Sequence, residues 1–297
     1  MSIYYQDELY GNFKIEGILE ELVHTEPFQR LKRIHQGGAI IVVRPDLNQT
    51  RFEHSIGVMK LIQVLEGSLT EQIMGLLHDI SHTAFSHLID YVLDLPEENY
   101  HEQIFTEVMQ HPEILRVIEK YGFSIDQLLT PNKFTILDYP LPGLCADRID
   151  YTLRDLMKLE QITKAEVAWF LKGLAIVNNR IVVTEVEYAQ WFKNKYTFLV
   201  EEYFNGRDNK RANKFMAAIT KELYGNGNLT LADFNEDDFQ VLKKIEHVLK
   251  IDLHTSYQDW LSKQDFNILF KTKPRDVDPD VIVENQLFRL SQINNNT

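Results

Sequence analysis

Residues 76–90 read LLHDISHTAFSHLID, a run in which an apolar half-helix gives way to His78 and Asp79, His82 follows one turn later, and His87 stands three residues before Asp90. On a continuous helix the i, i+4 pair His78 and His82 shares a face, as does the i, i+3 pair His87 and Asp90. Six of the ten histidines fall between His54 and His111, so a site is expected in that span. Imidazole nitrogen and carboxylate oxygen together suit a divalent ion such as zinc, iron, manganese or nickel. A buried charged aspartate among histidines is costly alone. One divalent cation satisfies all the ligands at once and lowers the pKa of bound water toward neutrality. The His-Asp dipeptide by itself is a weak motif that reads more simply as a surface or capping pair, and its weight comes from what surrounds it.

Outward from this run the periodicity is helical. Residues 53–66 (EHSIGVMKLIQVLE) set Ile56, Met59, Leu61, Ile62 and Leu65 largely on one side, and 70–80 (TEQIMGLLHDI) do the same with Ile73, Met74, Leu76 and Leu77. Further helical patterns cover 27–34, 85–93, 97–110, 112–120, 142–156, 164–171, 188–204, 209–224, 236–249 and 256–270. Strands are few. The β-branched run Ile40, Ile41, Val42, Val43 is expected as a strand, and 175–186 (AIVNNRIVVTEV), with Asn178-Asn179 between two β-branched runs, as a hairpin. The GNGN run at 225–228 breaks any helix, and the tail 294–297 is expected to fray. The expected fold is all-α, mainly helical, with a short β-hairpin and a small helical C-terminal lobe. Its parts are 1–175 and 176–297, and the absence of a Pro/Gly/Ser-rich tether between them predicts a packed interface.

The chain has 297 residues, enough for one large domain or two coupled ones. Lys plus Arg number 31 against 44 acids, a net charge of −13, which argues against broad binding to nucleic acid or anionic membrane. The single cysteine, Cys145, excludes an intrachain disulfide and a multi-cysteine zinc site. The opening MSIYYQDELYGNF carries acids where a leader has a basic region, and no run of about 18 apolar residues occurs. A cytoplasmic, reducing location is expected.

His54 in RFEHS, the His78-Asp79 pair and Asp147 in CADRIDYTLRD stand in the order His, His-Asp, Asp on successive helical patterns. Together with FQRLKRIHQGGAIIVVRPDLNQTRFEH (28–54), GLLHDISHTAFSH, YHEQ and DRIDYTLRD, this order resembles the HD phosphohydrolase superfamily. Within it, the chain looks like the deoxynucleoside triphosphate triphosphohydrolase branch over residues 7–225. The resemblance implies an HD-domain fold and a divalent metal ion (manganese, iron, nickel, zinc or magnesium) held by His54, His78, Asp79 and Asp147, with Asp79 bridging if two ions bind. It implies a nucleotide substrate and a homo-oligomer, a dimer at least.

The same resemblance implies roles around the metal. His82 and His87 match a family HxxxxH stretch, His101 in YHEQ matches the catalytic histidine, and Asp90 is expected to orient His101. Arg51 and Arg148 match phosphate contacts, Gln36 a residue at the sugar edge, and Lys195 in FKNK an arginine that touches phosphate. Tyr151 and Asp155 match sugar contacts, and their spacing of four and eight residues from Asp147 puts all three on one helical face. Gly37 stands where the family commonly has leucine, which loosens selection for the deoxy sugar. Chemistry supports the set independently: phosphoester cleavage needs an activated water, neutralised equatorial oxygens and a proton for the leaving oxygen, and an imidazolium such as His101 supplies the last.

Residues outside these motifs have plainer readings. His24, His35, His111, His247 and His254 read as surface or capping residues, the aromatic-rich 188–204 as core or subunit interface, and the basic 207–214 (RDNKRANK) as a solvated helix start. The functions weighed are a metal-dependent hydrolase releasing triphosphate from deoxynucleoside triphosphates, an HD-type phosphatase or phosphodiesterase acting on a monophosphate, cyclic nucleotide or other phosphoester, and an idle nucleotide-binding regulatory module. Triphosphate-cleaving relatives often carry more C-terminal structure for assembly and regulation, which leaves control by a second nucleotide open.

Overall fold

Thr50 starts the central helix. Its hydroxyl accepts the Glu53 N–H at 3.3 Å while the Glu53 carboxylate accepts the Thr50 N–H at 2.9 Å, a reciprocal cap before Arg51–Val64. Phe52, Ile56, Val58, Met59, Leu61 and Ile62 are all buried, so the helix is covered around most of its girth. It packs against Leu69–Leu77 on one side and Ala146–Lys158 on the other. A Cβ at Gly57 would stand 2.1 Å from both Asp150 Oδ2 and Arg154 Nη2, so glycine is required for the two helices to approach there. The computed structural model describes residues 2–130, 134–263 and 275–294.

Several elements differ from their periodicity. The helix expected over 70–80 ends at Leu77, with His78 at its C-cap, so His78 and His82 do not ride one continuous helix. The run from Ile40 to Val43 is no strand: Gly38–Val42 is a 3-10 helix that packs against the helix Arg207–Gly225. Gly38 enters it at φ +64°, and a Cβ there would meet Phe85 O at 2.8 Å. Burial of Ile40 and Val42 is thus met by helix packing, without a neighbouring strand. Residues 85–93 give only Leu88–Val92, because Phe85 and Ser86 both take φ +57°. The 188–204 pattern splits into the α-helix Val186–Phe198 and a π-helical turn, Leu199–Phe204. The helix Leu253–Lys263 covers the start of 256–270, whose remainder lies outside the described residues, as do 295–297 of the tail.

An N-terminal hairpin, β1 (Ser2–Asp7) and β2 (Gly11–Glu16), is paired from Ser2↔Glu16 to Asp7↔Gly11. It was not among the expected strands, although Ile3 and Tyr5, and Phe13 and Ile15, recur at every second position and pack toward the core, as in a half-buried strand. The hairpin expected at 175–186 is present as β3 (Leu174–Val177) and β4 (Arg180–Val183), with Asn178 and Asn179 at φ 51° and 58° as a two-residue turn demands. Two later strands, β5 (Asp280–Val283) and β6 (Gln286–Arg289), extend it to a four-stranded sheet of order β3-β4-β5-β6, with β4 and β5 parallel at Val183↔Val281. The architecture is mainly helical. Buried side chains from Leu9 to Leu290 form one continuous cluster, and no described helix is long and apolar enough to cross a membrane.

Candidate metal centre

Three helices deliver the first cluster. His54 lies in the first turns of Arg51–Val64, His78 caps Leu69–Leu77, and Asp147 opens Ala146–Lys158. His54 Nε2 is 3.0 Å from Asp147 Oδ1, 3.3 Å from His78 Nε2 and 3.7 Å from Asp79 Oδ2. His78 Nε2 is 3.5 Å from Asp79 Oδ1 and 3.7 Å from Asp147 Oδ1. The structure therefore brings together all four residues singled out as ligands, although Asp147 lies 93 positions beyond His54.

The opposite nitrogens show what this space is suited to hold. His78 Nδ1 donates to the carbonyl of Gly75 at 2.8 Å, and His54 Nδ1 bonds Asp150 Oδ1 at 2.8 Å. In neutral rings so arranged both Nε2 atoms present lone pairs, facing each other beside two carboxylates. Such a donor set repels itself unless a cation or proton lies within it, and it fits a divalent ion. Without one, burial opposes charge on His54, but hydrogen bonds to Asp147 and Asp150 outweigh it and push its pKa up to about 10. Burial likewise acts against Asp79 and Asp147. Arg51 and neighbouring histidines hold Asp79 well below the usual carboxylate range, and hydrogen bonds from His54 and His78 lower Asp147.

Asp150 was missed in the sequence. Its carboxylate takes two hydrogen bonds of 2.9 Å from Arg154, which also reaches Asp7 at 3.2 Å, so the partner that orients His54 is itself fixed. The available signal was the i, i+4 spacing of Asp150 and Arg154 one turn beyond Asp147.

A second group lies beside the first. His82 Nε2 is 3.2 Å from Asp79 Oδ1, its ring stacks on His101 at 3.9 Å, and His87 meets both rings edge-on. One nitrogen from each of the three lies within 4.8 Å of the others. Burial lowers His101 to about 4, with His87 and Arg51 adding to the effect, and drives His82 well down. Asp90 does not orient His101 as expected. It bonds His87 Nδ1 at 3.1 Å and accepts the Tyr100 N–H at 3.0 Å, anchoring the start of the helix Tyr100–Met109 that carries His101.

Both groups open onto one cavity of about 900 Å³. Gln36, Arg51, Tyr151 and Asp155 line it. Gln36 Oε1 is buried without a hydrogen-bond partner, and burial pushes Asp155 up to about 7. Arg51 donates to Ser86 Oγ at 2.8 Å and to Asp79 Oδ2 at 2.5 Å. Arg148 and Lys195 are not among the lining residues. Arg148 is buried against the carbonyls of Tyr139 and Gly143, since one residue past Asp147 turns it about 100° away around the helix. Lys195 donates to the Gln161 carbonyl at 2.7 Å. In their place the helix Arg207–Gly225 presents Lys210, Lys214 and Lys221 to the cavity, so the basic run read as a solvated helix start forms a wall of it. His35, read as a surface or capping residue, is buried, with Nδ1 2.7 Å from Asp238 Oδ2.

A helical fold with a His/His-Asp/Asp cluster drawn from three helices defines a metal-dependent hydrolase domain of the HD type. The HD domain family model matches residues 51–155. The chain is 38% identical over 295 residues to YdhJ, an uncharacterized protein of Bacillus subtilis, covering 97% of this chain and 91% of that one. It is 32% identical over 204 residues to the metal-dependent phosphohydrolase cns2 of Cordyceps militaris, 66% of this chain and 59% of that protein. It is 31% identical over 160 residues to the deoxynucleoside triphosphate triphosphohydrolase SAMHD1 of Mus musculus, 46% of this chain and 24% of that enzyme. A hypothetical protein from Aquifex aeolicus has the same fold, with a TM-score of 0.71 at 20% identity over 99% of this chain and 92% of that one. The chain belongs to the HD-domain family of metal-dependent phosphohydrolases.

Proposed function

We propose that this protein hydrolyses deoxynucleoside triphosphates to deoxynucleoside and triphosphate, with a divalent cation held by His54, His78, Asp79 and Asp147. The observation that carries this reading is the composition of one cavity. The metal cluster, Tyr151 and Asp155 share it with Lys210 and Lys214, and with Lys221, which is ion-paired to Asp94; with Arg51 this is more cationic lining than a single phosphate requires. Bound there, the cation would lower the pKa of a water toward neutrality and draw charge from the phosphoryl oxygens. Arg51, fixed by Ser86 and Asp79, offsets charge on the equatorial oxygens. His101 passes a proton to the departing nucleoside oxygen, and the incoming phosphates favour its imidazolium form as any nearby anion does. Asp155 and Tyr151 receive the sugar, and Gln36 offers it an acceptor with no other partner.

A second reading, a phosphatase or phosphodiesterase for a smaller phosphoester, is favoured by the withdrawal of Arg148 and Lys195 from the cavity. Manganese-loaded protein incubated with each deoxynucleoside triphosphate and monophosphate separates the two by chromatography. Deoxynucleoside formed from triphosphates is the expected result, and deoxynucleoside with orthophosphate from monophosphates alone selects the second reading.

A further inference from the structure

We propose that Asp238, on the first turn of the helix Asp238–Leu249 in the C-terminal lobe, is a positioning residue for the metal centre; this rests on the metal-centre reading above. Its carboxylate is fully buried and takes three hydrogen bonds, two from His35, which precedes the cavity-lining Gln36, and one from the cavity-lining Phe85. Oδ2 accepts the His35 N–H at 2.9 Å and meets His35 Nδ1 at 2.7 Å, while Oδ1 accepts the Phe85 N–H at 2.6 Å.

From there the contacts run without a break to a metal-facing carboxylate. The carbonyl of His35 accepts Ser86 Oγ at 2.7 Å, Ser86 Oγ accepts Arg51 Nε at 2.8 Å, and Arg51 Nη1 donates to Asp79 Oδ2 at 2.5 Å. Phe85 and Ser86 are consecutive non-glycine residues at φ +57°, a conformation that persists only where its surroundings hold it. Asp238 supplies that hold by fixing the Phe85 amide. Neighbouring bonds support the same clasp: Ala84 N–H donates to Phe234 O at 2.8 Å, and Arg30 bridges Glu236 O to His82 O. The C-terminal lobe therefore sets the loop that carries Ser86, and through it the angle at which Arg51 meets Asp79.

The test is calorimetric titration of the full chain with Mn²⁺ for wild type, Asp238→Asn, Ser86→Ala and the double variant. Each single variant is expected to weaken Mn²⁺ binding by about 10–100-fold. Because both lie on one path, the double variant is expected to be little weaker than the worse single. A folded Asp238→Asn protein with lowered melting temperature and wild-type Mn²⁺ affinity overturns the proposal, as do losses that simply add. Wild-type protein that takes up no Mn²⁺ overturns the metal-centre reading, and this inference with it. Coupling is reciprocal, so a further readout needs no variant: Mn²⁺ loading should slow hydrogen exchange at the Phe85 amide, and unchanged exchange there overturns the proposal.

Discussion

His54 Nε2 and His78 Nε2 stand 3.3 Å apart, each ring tied at its other nitrogen to Asp150 or to the Gly75 carbonyl. With the His54 pKa raised to about 10, the metal-free cluster carries a proton through neutral pH, and an incoming cation must displace it. Metal affinity is therefore expected to rise with pH, by up to about tenfold per unit below that pKa. Calorimetry in buffers of different ionisation enthalpy should register proton release on binding. The proton also stabilises the metal-free fold: the contribution is complete below the unfolded histidine value and is lost as pH rises toward about 10. Melting temperature of metal-free protein should fall over that window.

Asp155 gives the opposite kind of pH dependence. Burial raises its folded pKa to about 7, above the unfolded value, so the native state binds the extra proton in between and stability falls as pH rises through that window. Asp155→Asn removes the penalty. Urea titrations at about pH 5 and about pH 8 should show the variant gaining on wild type at the higher pH, by at most about 3 kcal/mol.

Asp150→Asn loosens His54 and leaves Arg154 without its bidentate partner. Mn²⁺ affinity is expected to drop about 10–100-fold. Stability should fall by about 3–5 kcal/mol, as for other broken buried pairs. Calorimetry and thermal melts read the two effects separately.

Lys210→Ala and Lys214→Ala are expected to raise KM for a deoxynucleoside triphosphate by about tenfold each while kcat holds, because they remove binding common to ground and transition states. Steady-state kinetics over a range of salt should show a shallower salt dependence in both variants.

His101→Gln should lower kcat by about 10²–10⁴-fold, the usual size of lost proton transfer. Mn²⁺ affinity should be unchanged, since Asp79, His54, His78 and Asp147 keep their contacts. Kinetics paired with metal titration checks both halves.

The four residues that the structure brings together were named in sequence through the order His, His-Asp, Asp and the resemblance that order carries; the local marks alone, an apolar helix ending at His78-Asp79 and helix starts near His54 and Asp147, fit capping residues as well. Side-chain direction was legible where helical spacing set it, as for Asp147, Tyr151 and Asp155, and the same spacing explains why Arg148 points elsewhere. Partners far apart in sequence left no such mark. Asp238 reaches His35 across 203 positions, β5 joins β4 across about a hundred, and the Arg207–Gly225 helix, whose lysines line the cavity, is seated by Gly38–Val42 and Leu88–Val92 far before it in the chain. The β-branched run at 40–43 misled because local propensity yields when a helix offers the burial.

The most direct measurement is phosphorus NMR of metal-loaded protein turning over each deoxynucleoside triphosphate in ¹⁸O-labelled water. The account predicts tripolyphosphate carrying one labelled oxygen, with unlabelled deoxynucleoside. Absence of any phosphorus product, or label appearing only in orthophosphate, would contradict it.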